Sequence, residues 1–215
     1  MKRIFHPINI TLLVVTLIIL LPFIVQQKAT PKYSDSQLRQ IALSGNMLPT
    51  PTTYKELLKV VDNPQNRLTP KKIALGKELF NEPLLSRDRD ITCASCHILN
   101  QGGDDNLPTA IGYRGRANPF HLNSPTVLNS ALAKAEFWNG CAKDVEEQAG
   151  GPVQAPFEMN MTPKEVVQRL NRVPSYVKKF KEVFGKEISF ENVRKAIGAY
   201  ERTLITHGTY DIFRG

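Results

Sequence analysis

Apolar positions in this chain fall at helical spacing in several stretches and form one unbroken run near the amino terminus, and nowhere do they keep the strict alternation of a half-buried strand. Residues 8–25 are almost wholly apolar, and no Lys, Arg, Asp or Glu stands between Arg3 and Lys28. Such a run is long enough to cross a bilayer as a helix. Residues 28–51, with Pro31, Ser34, Asp35 and Ser36, read as a tether carrying a short helix over 37–43. Tyr54, Leu57, Leu58 and Val61 then give an apolar face to a helix within 53–61. Thr69 caps the next, with Pro70 in its first position and Ile73, Leu75, Leu79 and Phe80 on its apolar side. Thr162, Pro163 and Glu165 make a capping box with proline at the first helical position. Further helices are predicted over 175–184 and from 189 to about 204. Between them lie a turn-rich stretch, 81–90, and a long segment, 100–124, rich in Gly, Asn, Pro and Arg, of the kind that often carries function. With no internal repeat and no low-complexity tract, the pattern predicts an all-α domain with extended loops.

Charge narrows the picture only slightly. The net charge of +8 is spread among acids rather than gathered in a block, so a nucleic-acid role has no support beyond it. The excess favours acidic partner surfaces or anionic headgroups. Lys178, Lys179 and Lys181 read as a solvated helix face, with a docking patch as the alternative. Lys2 and Arg3 ahead of the apolar run place the amino terminus in the cytoplasm and the bulk of the chain outside. A cleaved signal peptide would export the chain as well. Gln26, Gln27 and Lys28 are poor cleavage-site residues, so an uncleaved anchor is the preferred reading.

The chemistry concentrates at Cys93, Cys96 and His97. C-x-x-C-H reads as a c-type haem attachment site, in which two thiols each bond a vinyl group of one porphyrin and the adjacent imidazole reaches the iron. A redox-active dithiol or half a zinc site are the alternatives. A zinc site wants a second pair of ligands, yet the sequence holds three cysteines and the remaining one is Cys141. No βαβ pattern surrounds the motif as a redox dithiol would want. Covalent haem belongs in an oxidising compartment, which agrees with export. A haem also offers apolar surface that short helices and loops can bury, so the segment after His97 is expected to depend on it for order.

A family resemblance rests on blocks that recur in order. They run from Leu75-Gly76-Lys77-Glu78-Leu79-Phe80 and Leu85-Ser86 through Cys93 to His97, then Gly102-Gly103, Asp105-Asn106-Leu107-Pro108 and Asn123-Ser124-Pro125-Thr126. Phe137-Trp138-Asn139-Gly140, Glu147-Gln148-Ala149, Gly151-Pro152-Val153-Gln154, Glu158-Met159 and the run from Ala199 to Thr206 follow. Over about residues 46–215 the chain resembles the amino-terminal half of bacterial di-haem cytochrome c peroxidases. The resemblance implies a cytochrome c-like helical domain around one covalent haem, where hydrogen peroxide is reduced to water. It also implies a second haem, in a carboxy-terminal domain, that takes electrons from a small cytochrome or cupredoxin. By motif position Gln148 matches the distal-pocket glutamine and Glu158 the catalytic glutamate. Trp138 matches the tryptophan between the haems and Asn123 a ligand of a calcium ion. Without the resemblance, Glu158 and Gln148 read as surface residues, Trp138 as core and Asn123 as a turn residue before Ser-Pro.

Departures from the pattern set further expectations. No second C-x-x-C-H occurs in this sequence, Tyr113 stands where many members carry a distal histidine, and Cys141 stands where the family usually has arginine. The sixth iron position is then open or water-filled, or closed by Tyr113, His121 or a methionine (Met159 or Met161), with His207 a more distant candidate. Cys141 is expected as a free thiol that an exported protein could use between molecules. The expected organisation is an anchor or signal over 1–27, a tether over 28–51, and a haem domain over 52–215 without the second haem domain. The expected function is haem-dependent peroxide reduction, impaired or partner-dependent, with electrons from a cytochrome, a cupredoxin or a membrane quinol chain. A mono-haem electron-transfer cytochrome is the alternative. The expected location is the periplasmic face of the bacterial inner membrane, or the periplasm after signal cleavage.

Overall fold

The computed structural model describes residues 32–45, 47, 50–209 and 211; the apolar run over 8–25, and with it the anchor and signal readings, lies outside them. Among the described residues no helix is long and apolar enough to cross a membrane. No strand forms there either: isolated bridges pair Ile98 with Asp104, Ile111 with Ala117 and Glu136 with Ala142.

The chain divides into two compact units, residues 1–48 and 49–215. In the first, α1 (Asp35–Ser44) begins on a capping box in which the Ser34 hydroxyl accepts from the Gln37 N–H. It is longer than the predicted 37–43 because Asp35 and Ser36 fill its first turn, where an acidic side chain suits the helix dipole.

The second unit is all-α, as the pattern predicts. α2 (Tyr54–Val61) starts on a Thr53/Glu56 capping box, α3 (Pro70–Phe80) on Thr69, and α7 (Pro163–Asn171) on the Thr162/Glu165 box. α8 (Pro174–Phe184) begins one residue before the predicted start, because Pro174 takes the first helical position, and ends on Gly185 in the left-handed conformation. α9 (Phe190–Glu201) stops short of the predicted Leu204. The Thr203 and Leu204 N–H groups turn back to the Tyr200 and Glu201 carbonyls, and the Leu204 carbonyl accepts from Asn129.

The core sits where α3 crosses α9. Gly76 makes the crossing close: a Cβ there would lie 1.9 Å from the Ala196 carbonyl oxygen. Leu79, Phe80, Phe180, Leu170, Val166 and Ile197 are fully buried around it, each worth about 1.5–3 kcal/mol of transfer free energy. A second cluster of Val61, Leu68 and Ala199 joins α2 to the far side of α9. Beneath it Arg202, 4% exposed, donates to the Val61 and Asn66 carbonyls and pairs with Glu146 at 2.7 Å.

Two further sets of bonds hold the loops. The Arg169 guanidinium donates to the carbonyls of Leu84, Ser86 and Arg87, and Arg87 forms a bidentate pair with Glu165, so the turn leading into the cysteine motif is fixed to α7. At the edge of the unit the Thr50 N–H donates to Asp211, and His207 Nε2 donates to the Pro51 carbonyl.

Candidate functional site

The motif forms a single helical turn, α4 (Cys93–Cys96), whose start is held by the Thr92 N–H donating to Ser95 Oγ. One turn of helix puts both thiols on the side of a cavity of about 600 Å³, and His97 follows at its end. The thiols are free. Burial pushes both of them up, Cys93 far above the ordinary thiol range, so they are held protonated. His97 Nδ1 stands 3.2 Å from the Gly103 carbonyl. A carbonyl only accepts, so Nδ1 carries the proton and Nε2 is left as the donor atom for a metal. Burial also pushes His97 down, toward the neutral form that a ligand must have. Gly103 reaches this place with φ +77°, and a Cβ there would lie 2.7 Å from Thr126 Oγ1.

The opposite wall is built by the short helices α5 (Val145–Gln148) and α6 (Gly150–Gln154) and the turn after them. Neither helix is predicted from the sequence. α5 brings Gln148 to the cavity. Glu158 arrives on a turn clamped from behind: the Tyr113 N–H donates to its carbonyl at 2.7 Å, and Gly112 lies so close that a Cβ would be 2.2 Å from the Phe157 carbonyl. The Glu158 side chain is partly buried in the cavity wall, and that burial raises its carboxyl above the ordinary range. The surface reading of Glu158 therefore does not hold.

Trp138 lines the same cavity but is 62% exposed, which excludes the core reading; its indole N–H donates to the Asn123 carbonyl at 3.2 Å. Asn123 lines the cavity too, and its main-chain oxygen is engaged by that bond. Among the described residues no cluster of three or more His, Cys, Asp or Glu side chains could hold a metal ion. Of the sixth-ligand candidates, Met159 lines the cavity at 3% exposure, whereas Tyr113, His121, Met161 and His207 do not line it. Tyr113 instead lies buried beneath the guanidinium groups of Arg114 and Arg116, and His207 is held by Pro51. Cys141 is a free, exposed thiol at the cavity wall.

Two acidic lining residues escape the sequence reading, Glu136 and Glu201. Glu201 had a signal: it continues the Val193–Ile197 register, so an acid falls on the buried stripe of α9. Glu136 had none: it stands on an irregular turn, closed by its own N–H donating to the Ala142 carbonyl, with no helical register to mark it.

The chain matches the family model for di-haem cytochrome c peroxidase over residues 70–214. It belongs to the di-haem cytochrome c peroxidase family. Family membership implies haem c, and the residues present fit it: two free thiols in the cavity wall, an imidazole held toward its neutral form with Nδ1 on the Gly103 carbonyl, and a largely apolar cavity of suitable size. The cytochrome c551 peroxidase of Pseudomonas aeruginosa is 47% identical over 135 residues, 61% of this chain and 38% of the relative. The methylamine utilization protein MauG of Methylorubrum extorquens is 43% identical, over 66% of this chain and 40% of its own length. A crystal structure of a MauG-like protein associated with microbial copper homeostasis superimposes with a TM-score of 0.62 at 27% identity, covering 67% of this chain and 44% of that one. The dihaem peroxidase BthA of Burkholderia thailandensis shares the fold, with a TM-score of 0.58 at 23% identity, over 64% of this chain and 40% of its own. The chain spans about two fifths of the length of these two curated relatives.

Proposed function

We propose that this chain holds one haem c through thioethers to Cys93 and Cys96, with His97 Nε2 on the iron, and that it takes part in the reduction of hydrogen peroxide to water. The observation that carries this reading is the meeting of Glu158, Gln148 and the cysteine motif in one cavity. The haem would supply the iron centre through which the two electrons of an external donor reach the peroxide. Glu158 takes a proton from one peroxide oxygen and returns it to the departing one, a task for a carboxylate whose burial brings it toward neutral pH. The Gln148 amide orients the peroxide by hydrogen bonding. His97 is held in one tautomer by Gly103. Trp138, exposed at the mouth, is the proposed place where electrons arrive from a small cytochrome, a cupredoxin or a membrane quinol chain. A calcium ion near Asn123, an exported location at or near the bacterial inner membrane, and the 1–27, 28–51 and 52–215 division belong to the same proposal.

Met159 favours a second reading. A buried thioether in the cavity wall is a possible sixth ligand, and a closed iron would suit an electron carrier. Stopped-flow absorption of the haem-loaded chain mixed with hydrogen peroxide separates the two. A high-spin ferric spectrum that changes rapidly supports peroxide chemistry. A low-spin spectrum indifferent to peroxide overturns it and leaves the electron carrier.

A further inference from the structure

The cavity wall holds a carboxylate that the peroxide chemistry does not use. Glu201, at the end of α9, is 5% exposed and lines the cavity next to Cys93. Its side chain takes part in no hydrogen bond or ion pair with any described residue. Among the described residues no cation pairs with it. Glu136 from the 136–142 turn and Glu146 from α5 face it with charge of the same sign. Arg202, its neighbour on α9, is committed to Glu146 and to the Val61 and Asn66 carbonyls. Lys72 from α3 donates to Asn66 and to the Arg67 carbonyl. Cys93 and Tyr200 complete the titratable groups around it, and both are pushed up themselves. Burial, joined by the two like charges, pushes Glu201 up to about 8.

A side chain in this position senses any added negative charge in the cavity, because a low-dielectric wall screens it poorly. We propose that Glu201 is a proton acceptor coupled to haem reduction: when a one-electron donor reduces the ferric iron, one proton from water moves onto a Glu201 carboxylate oxygen, and it leaves when the electron leaves. Iron gains one electron and the carboxylate one proton, so the net charge of the cavity is unchanged. The inference rests on the haem occupancy proposed above. It assigns Glu201 a task separate from that of Glu158, which sits on a different segment and handles the peroxide protons.

The test is the midpoint potential of the haem-loaded chain, measured by mediated spectroelectrochemistry between roughly pH 5 and 10. Covalent haem is verified first by mass. Over the window in which oxidised protein has lost the Glu201 proton and reduced protein keeps it, each pH unit should lower the reduction equilibrium constant tenfold, about 59 mV for a one-electron couple. Glu201→Gln, at full haem content, should flatten that slope, and Glu136→Gln should keep it. Reduced-minus-oxidised infrared spectra should gain a protonated-carboxyl C=O band that Glu201→Gln lacks. A flat potential in the haem-loaded parent, or a slope that survives in Glu201→Gln, overturns the proposal and leaves haem binding standing. A chain that takes up no haem overturns both. Should the Gln variant fail to fold, Glu201→Asp decides: its window must move along the pH axis, and an unmoved window overturns the assignment.

Discussion

Glu158 is a carboxylate whose place is fixed by backbone and not by its own side chain. Tyr113 holds its carbonyl and Gly112 leaves no room for it to shift. Replacing Glu158 by Gln keeps the shape and removes the base, so the rate of reaction with peroxide should fall by roughly 10²–10⁴ with haem content unchanged, as stopped-flow mixing will record. The parent's rate should climb with pH through a range above that of an ordinary glutamate, since burial raises this carboxyl and only its ionised form accepts a proton. Gly112→Ala tests the clamp: its Cβ would meet the Glu158 Cα at 2.6 Å, so the rate should drop although every reacting group is retained. The cysteine motif was legible in the sequence because its chemistry needs contiguous residues. Glu158 and Gln148 were legible only through the ordered family blocks, Glu201 only as an acid in the register of a buried helix stripe, and Glu136 not at all, because a cavity wall is assembled from segments far apart in the chain.

At the scale of elements, side-chain caps decide where helices begin. Thr69 and Thr162 cap as read, and Thr53 and Ser189 prove to be caps as well, since a cap needs only residues within one turn of each other. α5 and α6 hid behind Gly150, Gly151 and Pro152, residues that ordinarily interrupt helices. They are in place for packing reasons: a Cβ on Gly151 would lie 2.6 Å from the Phe137 ring. The cap of α7 also sets an acid limit. Thr162 and Arg87 lower Glu165 to about 2. A carboxyl lowered on folding stabilises above its unfolded range and loses that contribution as pH falls toward its folded one. Thermal melts should therefore show the midpoint falling from about pH 4.5 toward pH 2, less steeply in Glu165→Gln. The crossing of α3 and α9 gives a simpler test. Gly76→Ala drives a methyl group into the Ala196 carbonyl and should cost about 1–3 kcal/mol in denaturant unfolding.

At the scale of the whole second unit, the α3–α9 core and the cavity adjoin, sharing Val127, Ala149, Val153 and Met159 as a common wall. The core is made mainly of helices that close on one another, whereas the rest of the cavity wall, apart from Glu201 at the end of α9, comes from turns and short helices. Loops of that kind need a large apolar partner, which accounts for so many loop residues facing one space. Lys178, Lys179 and Lys181 fit the solvated-face reading: Lys178 is exposed, Lys179 pairs with Glu78 and Lys181 with Glu187. The tie of Thr50 and Pro51 to Asp211 and His207 has a topological consequence. The first and last described segments of this unit, at residues 50–51 and 207–211, meet at one spot, so the described part is a closed circuit that can be opened elsewhere. A circular permutant that links residue 211 to residue 50 and is cut between the exposed Gly185 and Lys186 should fold, keep the parent's melting midpoint within a few degrees and bind haem. The same geometry lets the unit be spliced as a cassette into a surface turn of a host protein, through a single point of insertion.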